Sequence, residues 1–113
     1  MSVTIYHNPR CSKSRQTLEL IREKGVEPQI VEYLETPPSA AELKNILSKL
    51  GMSAAEIVRT KEAKEEGINV SALDNDALIE ALAAHPRAIE RPIVVKDAKA
   101  VMGRPPQNVI NLI

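Results

Sequence analysis

The sequence predicts an α/β domain: a four-stranded mixed sheet flanked by helices, with a helical insertion between a β-α-β half and a β-β-α half. Three observations lead there. A short apolar run, Val3 to Tyr6, stops at Asn8 and Pro9 and gives way to a helical period. A second short run, Gln29 to Tyr33, follows a helix of crossover length. Near the C-terminus, RPIVVKDAKAVMGRP reads as a hairpin. The 113 residues are enough for one domain with a real core and too few for two.

Each element carries its own signal. Val3 to Tyr6 is β-rich, apolar and halted by turn residues, as in a buried strand. From Ser12 the period changes: Ser14, Thr17, Leu18 and Ile21 fall at helical spacing, Gly25 sits where a C-terminal cap belongs, and Pro28 follows, predicting a helix over about 12–24. Strand, helix and strand in this order form a right-handed parallel unit, which implies a parallel sheet core. After Pro37 and Pro38, Ser39 with Glu42 makes the capping-box pattern, and Leu43, Ile46, Leu47 and Leu50 form a stripe that Gly51 ends. Ser53 opens a short helical piece through Val58, and Lys61 to Glu66 reads as a charged, solvent-facing turn of helix closed at Gly67. Asp74 or Asn75 caps a helix whose Leu78, Ile79 and Leu82 point inward, closed by His85 and Pro86. The insertion therefore covers about 39–86. Ile93 to Val95 and Ala100 to Met102 flank a turn at Lys96 to Lys99, and Pro105 with Val109, Ile110 and Leu112 predicts a closing helix. This order is the outline of a thioredoxin-like fold.

Composition narrows the function. Hydrophobic residues at 43% and charged residues at 27% describe a soluble globular chain, not a disordered one. Fifteen basic residues balance fifteen acidic ones, so no global field recruits nucleic acid or an anionic membrane. No window approaches the roughly 18 consecutive apolar residues of a membrane span, and the cytoplasm is the expected location. The single cysteine, Cys11, cannot close an internal disulfide, which leaves an inert buried thiol or a reactive one.

Cys11 stands at, or one residue before, the first turn of the first predicted helix, where backbone N–H groups lack partners and the helix carries partial positive charge. Such a place, beside cations, lowers a thiol pKa from about 8.5 into roughly the 3.5–7.5 range. Arg10, Lys13 and Arg15 flank the sulfur, and these polar neighbours disfavour deep apolar burial, the usual fate of a free cysteine. The same N–H groups form an anion-binding concavity, so nucleophile and substrate cradle coincide. Ser14 completes a C-x-x-S spacing that places its hydroxyl within reach of the sulfur, although a serine there is equally explained as a cap. His7, four residues upstream, is a base, a charge partner or a strand-end histidine. A tetrahedral oxyanion needs arginine forks in addition, and Arg59, Arg91 and Arg104 are the candidates; each is otherwise a solvated surface residue, but Arg91 and Arg104 bracket the same hairpin.

Taken together, IYHNPRCSKSRQTL, YLETPP, VRTKE, RPIVV and GRP resemble, in order and approximate spacing, the glutaredoxin-coupled arsenate reductase family, and in particular its shorter chromosomal branch. The resemblance implies that Cys11 attacks arsenate, that Arg59, Arg91 and Arg104 bind the oxyanion, and that Pro92 is a cis proline facing the cysteine loop. It further implies glutathione as co-substrate and glutaredoxin as partner, with no bound cofactor and no metal. A second resemblance is to the Spx-type regulators, which share the fold and an RPI-like segment and contact RNA polymerase. Many of those carry C-x-x-C, whereas Ser14 occupies the second position here. Reduction of a different thiol substrate by the same Cys11 chemistry is the third reading.

Overall fold

The structure, a computed structural model, describes residues 3–113 and groups them into two compact units: residues 3–36 with Arg91–Ile113, and Pro37–Glu90.

The first unit holds the sheet. Strands β1 (Val3–His7), β2 (Gln29–Glu32), β3 (Ile93–Lys96) and β4 (Lys99–Met102) lie in the order β2-β1-β3-β4. β1 runs parallel to β2, with Ile5 opposite Ile30, and antiparallel to β3, with Ile5 opposite Val94. The two-residue alternation of β1 buries Val3, Ile5 and His7 on one face, which carries an imidazole into the interior at the strand's end. Helix α1 (Ser12–Glu23) adds Leu18 and Ile21 to a core completed by Val94 and Val109. Burial of each such aliphatic side chain contributes about 1.5–3 kcal/mol against the entropy of ordering it.

Three sequence expectations change here. β2 is an edge strand with Gln29, Ile30 and Glu32 exposed, so the parallel pair is buried chiefly through β1. The hairpin turn is tighter than Lys96 to Lys99, because those lysines pair as the last rung and Asp97 takes φ 55, a left-handed conformation that Asp tolerates. The closing helix is a 3-10 turn, Pro106–Asn111, with Val109 buried and Ile110 exposed. Two consecutive prolines remove backbone donors from its start, and six residues are too few for an independent α-helix.

In the second unit, α2 (Ala40–Leu50) packs against α4 (Asn75–Ala84), with Leu43, Ile46 and Leu47 buried on the first and Leu78, Ile79 and Leu82 on the second. The predicted box is present: Ser39 Oγ accepts from the Glu42 N–H at 3.1 Å, and the Ser39 N–H donates to Glu42 Oε1 at 3.3 Å. Asp74, not Asn75, caps α4, accepting from the Ala77 N–H at 2.8 Å. Asn75 Oδ1 instead accepts from the Ala54 N–H at 2.8 Å, at the start of the 3-10 turn Ala54–Ile57. An isolated bridge pairs Val58 with Ile89, its flanks closed by Arg59 N–H to Ala88 O and Glu90 N–H to Ile57 O, each 2.7 Å. That bridge sets Arg59, the N-cap of α3 (Thr60–Glu65), beside Glu90.

Candidate active site

Cys11 is the N-cap of α1, with φ −93 and ψ 123, and a hydrogen bond from its N–H to Asn8 O at 3.0 Å closes the loop before it. No acidic residue occupies the first turn of α1 to compete for the helix's positive end. The half-buried sulfur receives Arg104 Nη2 at 3.9 Å and hydrogen-bonds with the Arg91 guanidinium. Partial burial on its own raises the thiol pKa. The Ser14 amide, the hydrogen bond and charge of Arg91, and the Lys13 amide outweigh that burial and hold the pKa below the ordinary thiol value. The sulfur makes no cap hydrogen bond of ordinary length, so these amides act as dipoles aimed at the thiolate.

The two guanidiniums are placed by one hairpin. Arg91 precedes Pro92 through a cis peptide, as the family resemblance implies, and a second cis peptide, which sequence reasoning missed, joins Arg104 to Pro105. The Gly103 N–H donates to Pro92 O at 2.9 Å, Arg104 Nε donates to Arg91 O at 2.8 Å, and Asn108 Nδ2 donates to both Met102 O and Arg104 O at 3.2 Å. Gly103 is required by space: a Cβ there would stand 2.7 Å from Pro92 Cγ and 2.7 Å from Thr17 Oγ1. Thr17 is fully buried, and its hydroxyl lies 2.7 Å from Lys13 O and 3.4 Å from Gly103 O, tying the hairpin's end to α1. Thr17, Gly103 and Asn108 are therefore positioning residues that sequence reasoning missed. A signal for two of them is visible in the chain: a threonine within the buried helical stripe and the glycine of GRP.

Ser14 serves the sulfur through its backbone and not through its side chain, which corrects the reading of its hydroxyl as a donor to Cys11. That hydroxyl is 2.6 Å from His7 Nδ1 and accepts from the Asn8 N–H at 3.0 Å. Burial pushes the His7 pKa down; Glu32 pulls it up, and the charges of Arg22 and Arg15 lower it further, so the imidazole is neutral at pH 7. The Ser14 hydroxyl bridges the Asn8 N–H and His7 Nδ1, with the imidazole tautomer setting which of the last pair donates. His7 thus joins the strand end to the first turn of the helix.

Arg59 belongs to the second unit. Its Nε donates to Glu62 Oε2 at 3.1 Å and its Nη1 to Glu90 Oε1 at 3.0 Å, with all three side chains largely shielded. Burial opposes its charge, but the two carboxylates more than offset this and raise its pKa.

A cysteine with lowered pKa at a helix start, faced by two arginines of which one precedes a cis proline, defines a thiol protein of thioredoxin-like fold with positive charge gathered at its sulfur. The chain belongs to the ArsC family, whose sequence model matches residues 6–112. Among similar proteins, the uncharacterized protein YfgD of Escherichia coli (strain K12) is 53% identical over 114 residues, covering 98% of this chain and 96% of its own. The arsenate reductase of Neisseria meningitidis serogroup A is 49% identical over 110 residues, covering 95% and 94%. The solved arsenate reductase from Vibrio cholerae superposes with a TM-score of 0.94 at 48% identity, covering 100% of this chain and 98% of that one.

Proposed function

We propose that this protein is an arsenate reductase that uses external glutathione and glutaredoxin as reductants in the cytoplasm. The observation that carries the reading is the Cys11 sulfur, acidified at the α1 N-terminus and met by Arg91 and Arg104. Relatives named arsenate reductase, aligned over nearly their whole length, support the choice of oxyanion.

Arsenate binds against the helix amides and guanidiniums, and the Cys11 thiolate attacks arsenic, forming an S–As bond while an arsenate oxygen departs as water. Glutathione thiolate then attacks the Cys11 sulfur. The S–S bond forms as the S–As bond breaks, and its electron pair stays on arsenic, reducing As(V) to As(III), which leaves as arsenite. Thiol-disulfide exchange with glutaredoxin clears glutathione from Cys11 and restores the thiol. An external thiol is needed because Cys11 is the chain's only cysteine. Arg91 and Arg104 stabilise the thiolate and then the arsenate oxygens. Pro92 supports the loop that presents Arg91.

The test is steady-state turnover of arsenate with glutathione, glutaredoxin and glutathione reductase, followed through NADPH. Wild-type protein turns over and Cys11→Ser does not; equal activity in both would sink the assignment.

A further inference from the structure

A cleft of about 250 Å3 adjoins the loop before Cys11, lined by His7, Asn8, Pro9 and Arg10 together with Glu32, Leu34 and Glu35. Its charges are of both signs. Among the described residues, the side chains of Arg10, Glu32 and Glu35 form no ion pair or hydrogen bond, and Glu32 acts only as a through-space charge on His7. Leu34, 40% exposed, supplies an apolar patch in the same lining. Opposite charges held apart in one concavity suit a ligand that carries both signs on a short stem.

We propose that this cleft binds the amino-acid end of a γ-glutamyl thiol peptide, the zwitterionic reductant of the reaction proposed above; the inference rests on that reading. The α-ammonium lies between Glu32 and Glu35, the α-carboxylate meets Arg10, and the methylenes cover Leu34. The cleft is smaller than the roughly 300–1,000 Å3 that encloses a drug-sized ligand, and so holds one arm of the peptide while the thiol reaches beyond it. At about 3.3–3.6 Å per residue, a γ-glutamyl-cysteinyl segment spans from the cleft to Cys11, the residue after Arg10. A neighbouring cleft of about 480 Å3 containing Arg15, Glu19 and Arg22 is a poorer fit, because its cations are engaged: Arg15 donates to Pro9 O at 3.0 Å, and Arg22 pairs with Glu27 at 3.1 Å.

Two measurements test this. Titration of 15N-labelled protein with S-methylglutathione, which carries no free thiol, is expected to shift the amides of Asn8, Arg10, Glu32 and Glu35 most strongly. The double variant Glu32→Gln, Glu35→Gln is expected to lose those shifts and to raise KM for glutathione by roughly five- to tenfold, with arsenate KM and the Cys11 alkylation profile unchanged. Its KM for 2-mercaptoethanol, which has no charged end, stays at the wild-type value. Shifts centred elsewhere, an unchanged glutathione KM, or an equal rise for 2-mercaptoethanol overturn the subsite. Absence of glutathione-driven arsenate turnover in the wild type would instead remove the proposed function, while the S-methylglutathione titration still decides whether the cleft takes the peptide.

Discussion

Arginine is used in two different ways in this molecule. In the sheet unit, Arg91 and Arg104 converge on a sulfur atom; in the helical unit, Arg59 is clasped by Glu62 and Glu90. A carboxylate partner is permanent, so the Arg59 cluster also pins the start of α3 to the chain beside Ile89. In the proposed reaction a thiolate partner is consumed, because its charge is lost as a bond to arsenic forms, and the guanidiniums are then left to face the arsenate oxygens. The same side chain therefore serves as a structural clasp in one place and as a charge beside a sulfur in the other, according to what stands opposite it.

The largest effect expected is that of Cys11→Ser, a loss of arsenate turnover of at least about a thousandfold, because no other thiol in the chain replaces the nucleophile. Arg104→Ala and Arg91→Ala come next: each lowers kcat/KM by roughly 10²–10³ and moves the pH midpoint of Cys11 alkylation toward about 8.5. Arg59→Ala sharpens the contrast. It leaves that midpoint in place and lowers stability to urea by about 1–3 kcal/mol, since two largely shielded carboxylates lose their partner. If Arg59→Ala shifts the alkylation curve as far as Arg104→Ala, the distinction between the clusters fails.

Smaller effects probe how the arginines are held. Gly103→Ala forces Pro92 or Thr17 to give way, costing about 1–3 kcal/mol in urea unfolding and raising the alkylation midpoint as Arg104 is displaced. A destabilised variant with an unchanged midpoint would show that Gly103 packs without positioning. Thr17→Val keeps the volume and removes the hydroxyl, for a loss of about 0.5–1.5 kcal/mol by the same assay. The smallest effect is pH-linked. Because the folded thiol has the lower pKa, its contribution to stability is complete above the unfolded value of about 8.5 and disappears as pH falls through the folded one. The stability of wild type relative to Cys11→Ser should therefore rise with pH across that window.

Much of this arrangement is legible in the sequence because local chemistry dictates it. Ser39 with Glu42, the stripe of α1 and the helix-start cysteine each specify their own conformation within a few residues. Arg91 and Arg104 flank one hairpin, so the pairing of its strands is enough to bring their ends together. What the sequence hides depends on contacts distant in the chain. The direction of the Ser14 hydroxyl is settled by an imidazole seven residues away, and the need for glycine at position 103 by Thr17, 86 residues earlier. The closing segment keeps an apolar helical period, yet it forms a 3-10 turn too short and proline-rich to become an α-helix.

The most direct measurement is the rate of iodoacetamide alkylation of Cys11 against pH, with and without arsenate, using phosphate and sulfate as non-reducible comparisons. An acidified thiol beneath two guanidiniums predicts a rate that levels off well below pH 8 and slows when a tetrahedral oxyanion is present. A curve that climbs with an ordinary thiol midpoint near about 8.5 and ignores the anions would contradict the account.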